Sequence, residues 1–245
     1  MCRHLAYVGS PVVLHTPLFG SSHSLSAQAR QPRHQEVGDT NPDGWGVGWY
    51  VDGSDVPELH RTVTPVWDDR AFAESSRAIT TRAFLGAARL ASPGAAIDAT
   101  GNAPFRSGHW LFSLNGIVRD FHDHIGPVLR ARVSAERRAA IVGDTDSEVL
   151  FALVLDRLDA DEAPAVALAS VVRDVHEVAT ARINLLLTDG TQIAGTRSGR
   201  SLFVRGSTVA SEPLDDDAGW REVPDGATVL VPAAGHDAEI MIEAR

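Results

Sequence analysis

The chain begins MCRHLAYVGS, and its one cysteine, Cys2, stands directly behind the start methionine. A lone intracellular cysteine is usually a small buried hydrophobe. Position 2 opens a second reading. Cysteine is small enough for the start methionine to be removed ahead of it, which leaves a thiol and an α-amine on one residue. An α-amine titrates at about 7.7–8.0, near working pH, so it can act as the base for its own side chain. That pairing is the N-terminal nucleophile arrangement.

Three further stretches carry groups that amide chemistry needs. FSLNGIVRD holds Asn115-Gly116 between apolar residues. The pair reads as a hairpin turn; an Asn amide beside a glycine N–H also makes an oxyanion hole. AARLASPG carries Arg89 inside an apolar run. It is either an edge-strand arginine or a half-buried guanidinium waiting for a carboxylate, its best bidentate partner. Asp146 falls in the first turn of a helix, where the dipole favours an acid whatever its use.

Other stretches argue less. NPDGWGVGWY lacks the glycine spacing of a dinucleotide fingerprint and leads into a strand. It reads as a turn entering a strand that another backbone approaches closely, with Trp45 and Trp49 available as a substrate wall. SEPLDDDAGW reads as a solvated acidic loop. The isolated pair His122 and His124 does not predict a metal, and neither a metal nor a cofactor is expected. G-x-S-x-G and H-E-x-x-H are absent from the sequence.

The elements that must position these groups are mostly strands: HLAYVG, WGVGWYVDG, AFLGAARLA, HWLFSL, ATVLVP and AEIMIEA. RINLLLTDGTQIAGT reads as a hairpin turning at Asp189-Gly190, and SLFVRGSTVAS as another turning at Gly206-Ser207. Helices are expected over 68–79, 145–159 and 164–179. The second opens on a capping box, Thr145 with Glu148, and the third has Pro164 in its first turn. Tight hairpins imply mainly antiparallel pairing. Without a linker or repeat, residues 2–245 read as one domain of mixed helices and strands.

Net charge is −10, from 22 basic and 32 acidic residues, which opposes unaided binding to nucleic acid or an anionic membrane. Neither a membrane span nor a signal peptide is expected. One cysteine cannot form an internal disulfide, which fits a reducing cytoplasm.

In order, these stretches resemble the class II glutamine amidotransferases, a family of N-terminal nucleophile hydrolases. Cys2 follows Met1; Arg89 stands in RLASPG, matching R-x-A-[ST]-x-G; Asn115-Gly116 matches an N-G pair; and Asp146 stands in TDSE, matching [ST]-D-[ST]-E. MCRHLAYVG, NPDGWGVGWY, NAPFRSGHWLFSLNG, ARINLL and SEPLDDDAGW are similar to a freestanding branch of that family that acts in ergothioneine biosynthesis. The resemblance implies an α+β fold, a four-layer αββα sandwich. It implies a small-molecule γ-glutamyl substrate, namely γ-glutamyl-hercynylcysteine sulfoxide, with glutamine or another γ-glutamyl compound as the alternative. Cys2 would attack the amide, Asn115 and Gly116 would hold the oxyanion, Arg89 the α-carboxylate and Asp146 the α-ammonium. Ser92 and Trp45 would line the substrate pocket, and Trp49, Phe105, Trp110 and Trp220 stand in or near the matched motifs. The chain departs from the family pattern at Leu90 and Ser92, and at Asn102-Ala103-Pro104-Phe105, which lacks the family's histidine. The outer wall of the pocket must therefore differ.

Overall fold

The computed structural model describes residues 2–35, 40–92, 97–232 and 238–242. Met1 and the Pro93-Gly94 end of the arginine motif, on which parts of the sequence reading rest, lie outside them. The strands are β1 (Arg3–Val13), β2 (Trp45–Trp49), β3 (Glu58–Thr62), β4 (Thr80–Ala88), β5 (Phe105–Ser107), β6 (Trp110–Val118), β7 (Ala181–Thr188), β8 (Ile193–Thr196), β9 (Phe203–Arg205), β10 (Thr208–Ala210), β11 (Arg221–Glu222), β12 (Ala227–Val231) and β13 (Glu239–Ile242). They form two antiparallel sheets. One runs β11-β9-β10-β1-β4-β2-β3 and the other β13-β12-β8-β7-β6-β5.

Side-chain alternation along the strands divides the core into three parts. Between the sheets lie Ala6, Val8, Leu85, Leu111, Leu186, Val209 and Val229. The outer face of the first sheet presents Leu5, Trp45, Val47 and Phe84 to α1 (Leu25–Arg30) and α2 (Arg70–Ser75). The outer face of the second presents Phe112, Leu114, Ile183 and Leu185 to α3 (Gly126–Arg132), α5 (Asp146–Asp159) and α6 (Pro164–Val178). The layers are therefore α, β, β, α. The short helix α4 (Ala135–Ala139) leads toward α5.

The expected hairpins form at Gly190 and Gly206, both with positive φ. Helix α5 carries the expected capping box between Thr145 and Glu148. The expected helix over 68–79 is shorter: α2 is flanked by single 3-10 turns at Val66–Asp68 and Ser76–Ala78. Asn115-Gly116 is not a turn. Both residues lie inside β6, opposite Asn184 and Ile183 of β7.

A buried ionic cluster pins the start of β1. Residues 4 and 6 of β1 face the other sheet, so Arg3 turns to the opposite face. There its Nε lies 3.3 Å from Glu212 Oε1, with both side chains buried. The Glu212 carboxylate also accepts from His23 Nε2 at 2.5 Å and from the backbone N–H groups of Arg33 and His34, the latter at 2.9 Å. Burial alone would push the Glu212 carboxyl up. The His23 hydrogen bond, the two amides and the Arg3 charge outweigh burial and hold it below the ordinary carboxylate range.

Replacing Glu212 with Gln leaves the Arg3 guanidinium buried without its counter-charge. Unfolding in urea at neutral pH should show a loss of about 3–5 kcal/mol. Because the folded-state pKa is depressed, the carboxylate's contribution is present above the unfolded pKa and fades as pH falls through the lower folded value. The gap between wild type and Glu212→Gln should therefore narrow on acidification. A loss under about 1 kcal/mol, or a gap independent of pH, would contradict this role.

Candidate active site

A cavity of about 390 Å³ opens where β1 and α5 begin and β4 and β6 end. Cys2, Arg89, Ser92, Gly116 and Asp146 all line it. Cys2 immediately precedes β1, and the alternation that turns Arg3 to the outer face turns Cys2 with His4 toward the second sheet. His4 is fully buried with Nδ1 3.3 Å from Ser113 Oγ. Burial, with the Arg3 charge beside it, pushes its imidazole down to about 3. It is a poor acceptor for a thiol proton.

The β6 ladder exposes a backbone donor in this cavity. Ile183, opposite Gly116, directs its N–H to Ser198 O, away from β6. Gly116 and Ile183 are therefore a non-hydrogen-bonded pair, and the Gly116 N–H also points out of the β6–β7 ladder. It points to the side where β5 no longer pairs, since β5 ends its ladder at Phe105 opposite Phe112. Two residues on, the equivalent N–H of Val118 is taken by Asp146 Oδ2 at 3.1 Å. Gly116 has φ +153, and a Cβ there would collide with the Arg182 carbonyl oxygen, so only glycine fits. The Asn115 side chain is not part of the cavity lining; it projects from β6 into the space between the sheets, the side to which Cys2 also turns, and is fully buried. Its Nδ2 donates to Ser211 Oγ at 3.2 Å, and its Oδ1 has no partner.

Arg89 follows β4 and is positioned by the NPDGWG stretch. Its N–H donates to Gly44 O at 2.9 Å, its carbonyl accepts from Asp43 N–H at 3.0 Å, and Asp43 Oδ2 accepts from Ala91 N–H at 2.8 Å. The guanidinium lies against Gly101 and reaches Asn102 Oδ1 at 3.5 Å. Asn102 is itself fixed by donating to Thr62 O at 2.8 Å. Among the described residues Arg89 has no ion-pair partner.

Asp146 is placed by the capping box one residue before it. Burial raises its carboxyl above the ordinary Asp value, opposed by hydrogen bonds from Val118 and Ser147 and by the nearby His122. Among the described residues, the cavity thus holds a thiol, a backbone N–H without an acceptor, a guanidinium without an ion-pair partner and a carboxyl whose ionisation is restrained by burial.

Trp45 is not part of this wall. In β2 the side chains of Gly46 and Gly48 would face the second sheet, so Trp45 and Trp49 fall on the outer face. Trp45 is fully buried there, edge-on to Phe19 and Phe72, with Nε1 donating to Asp69 Oδ2 at 3.2 Å. The expected close approach to the glycines does occur: a Cβ at Gly46 would stand 2.6 Å from the Ala103 carbonyl oxygen. Of the other aromatics, Phe105 lines the cavity. Trp110 packs on the helical core, and Trp220 lies beneath Arg205, with Nε1 donating to Asp215 Oδ1 at 2.9 Å. The acidic loop is correspondingly less free than its composition implies, since Asp215 grips Arg205 through both oxygens at 2.7 and 2.8 Å.

The supporting residues Arg3, Asn184, Ser211 and Glu212 were not singled out from sequence. Each lies inside a stretch that carries the family resemblance. Asn184, in ARINLL, donates to the carbonyls of Arg200 and Ser201 at 3.1 Å, and Ser201 Oγ donates to Ser211 O at 2.8 Å.

The profile of the family described as glutamine amidotransferases class-II matches residues 20–208, a span holding Arg89, Ser92, Asn115, Gly116 and Asp146. A γ-glutamyl-hercynylcysteine sulfoxide hydrolase of Mycolicibacterium smegmatis is 34% identical over 248 residues, covering 99% of each chain. Its Mycobacterium tuberculosis counterpart is 34% identical over 239 residues, 96% of this chain and 94% of that one. In fold, the chain matches a glutamine aminotransferase class-II domain protein from Silicibacter pomeroyi at TM-score 0.72 and 24% identity, over 100% of both chains. It also matches the glutamine phosphoribosylpyrophosphate amidotransferase of B. subtilis at TM-score 0.66 and 16% identity, over 99% of this chain and 49% of that one. The chain belongs to the class II glutamine amidotransferase family.

Proposed function

We propose that residues 2–245 form one domain, an N-terminal cysteine amidohydrolase that cleaves the γ-glutamyl amide of γ-glutamyl-hercynylcysteine sulfoxide in the cytoplasm. The observation that carries this reading is the convergence of Cys2, Gly116, Arg89 and Asp146 on one cavity. The substrate assignment is supported by the near-full-length likeness to the two mycobacterial hydrolases.

The chemistry follows from the groups present. With Met1 removed, the Cys2 α-amine takes the thiol proton, since His4 is too weak a base. The thiolate attacks the γ-carbonyl, and charge gathers on the carbonyl oxygen. The Gly116 N–H and the Asn115 amide stabilise it. The C–N bond breaks and the amine leaves with a proton. Water then cleaves the γ-glutamyl thioester, giving glutamate and restoring the thiol. Arg89, with Ser92 beside it on the cavity wall, holds the α-carboxylate, and Asp146 holds the α-ammonium. Phe105 and the cavity carboxylates of Asp120, Asp123 and Asp144 suit a leaving group bearing a quaternary ammonium.

Synthetic γ-glutamyl-hercynylcysteine sulfoxide, assayed beside glutamine and glutathione, should be the best substrate by kcat/KM. Preference for glutamine would select the alternative reading. Cys2→Ala should lose turnover while retaining its fold. Full activity in a preparation that keeps Met1 would contradict the α-amine as base.

Arg89→Lys and Asp146→Asn should each raise KM by about 10- to 100-fold, the worth of one charge-assisted hydrogen bond. An analogue lacking the α-amino and α-carboxylate groups should be indifferent to both changes; equal losses for both ligands would rule the anchors out.

The pH dependence has a definite sign. Asp146 must be ionised to hold an ammonium, and its pKa is raised by burial. KM should therefore climb as pH falls, beginning above the ordinary Asp range. Asp146→Asn should abolish that rise. A wild-type profile flat down to the ordinary Asp range would contradict it.

A further inference from the structure

Ser211 joins the strand that carries the nucleophile to the strand that carries the proposed oxyanion residue. Its N–H donates to His4 O at 2.9 Å, and its Oγ accepts from His4 N–H at 3.0 Å. The same Oγ lies 3.2 Å from the terminal amide of Asn115. Ser211 and Asn115 are both fully buried. The serine carbonyl is held from behind by Ser201 Oγ. One small side chain therefore touches β1 at residue 4 and β6 at residue 115, across the gap between the sheets.

Hydrogen-bond accounting says what this contact does. A half-turn of the Asn115 amide exchanges its oxygen and nitrogen. With Nδ2 on Ser211, the hydroxyl accepts twice, and Asn115 Oδ1 is left buried without a donor. An unmade buried bond costs about 1–3 kcal/mol. With the amide reversed, the hydroxyl still accepts from His4 N–H and gives its own proton to Oδ1. The serine proton and Oδ1 are then both satisfied, and the cost moves to Nδ2, the end left without a protein partner until an oxyanion is present. A donor with no acceptor of its own is what a developing oxyanion requires.

We propose that Ser211 is a positioning residue: its hydroxyl, oriented by the His4 N–H, selects the Asn115 rotamer that offers Nδ2 to the tetrahedral intermediate. The inference rests on the reading of Asn115 as an oxyanion donor. Ser211 touches no reacting atom and acts only through that amide.

The test is a double-mutant cycle on kcat and KM with Ser211→Ala, Asn115→Ala and the pair. Asn115→Ala alone should lower kcat by about 10²–10³. Ser211→Ala alone should lower kcat by about 10- to 100-fold, short of full deletion of the donor, with KM within about twofold. In the Asn115→Ala background the same change should cost nothing further in kcat. Ser211→Thr, which keeps the hydroxyl, should retain most of the rate. If Ser211→Ala does not fold, Ser211→Cys takes its place, since a thiol of similar shape is a weak donor. Equal losses from the serine substitution in both backgrounds, or no loss in either, would overturn the proposal. Near-normal kcat in Asn115→Ala would instead sink the oxyanion reading on which it rests.

Discussion

A nucleophile at the second residue must be chemically free and spatially fixed, and chain ends are where order is usually lost. The buried carboxylate of Glu212 resolves this conflict. It holds Arg3 from 209 positions away in sequence, and His23 with the Arg33 and His34 amides from another loop. Burying these charges is expensive, and the arrangement persists because the carboxylate accepts from His23 Nε2 and from the Arg33 and His34 amides while facing the Arg3 charge. The adjacent Ser211 grips the backbone of His4 by both its amide and its hydroxyl. Residues 3 and 4 are thereby fixed on two opposite faces of one strand, leaving Cys2 to project from a rigid base.

The rest of the site follows from where ladders stop. β5 pairs with only the first part of β6, so β6 is an edge strand by the time it reaches residue 116. An exposed edge is normally a liability. Here one of its free N–H groups, that of Val118, is satisfied by Asp146 and another, that of Gly116, is left facing the cavity. The first turn of α5 thus serves two ends, supplying a carboxylate and closing the edge beside the donor. Among the described residues Arg89 has no ion-pair partner, for a related reason. Its backbone is held by Asp43 and Gly44, and its head rests on Gly101 and Asn102, so no carboxylate is needed to keep it in place.

Local signals in the sequence were legible. The α5 capping box, Pro164 of α6 and the Gly190 and Gly206 turns depend on residues close in the chain, and they appear where their chemistry places them. Asn115-Gly116 misled as a turn because a glycine at φ +153 serves here for a close backbone approach inside a strand. Trp45 misled as a pocket wall because composition does not reveal which face of β2 is outward. Cys2, Arg89, Ser92, Gly116 and Asp146 were singled out because they stand in the family motifs, and the fold brings all five to one cavity. Ser211, Glu212 and Asn184 were not, since a serine or a glutamate acquires meaning only when a partner many residues distant is packed against it.

The central claim is that Cys2 forms a γ-glutamyl thioester in this cavity. Rapid mixing of enzyme with γ-glutamyl substrate, acid quenching and mass measurement of the N-terminal peptide test it most directly. The account predicts one added glutamyl group on a peptide beginning at Cys2, appearing before steady state and absent from Asn115→Ala on the same timescale. Product release without any adduct on Cys2, or an adduct carried by another residue, would contradict it.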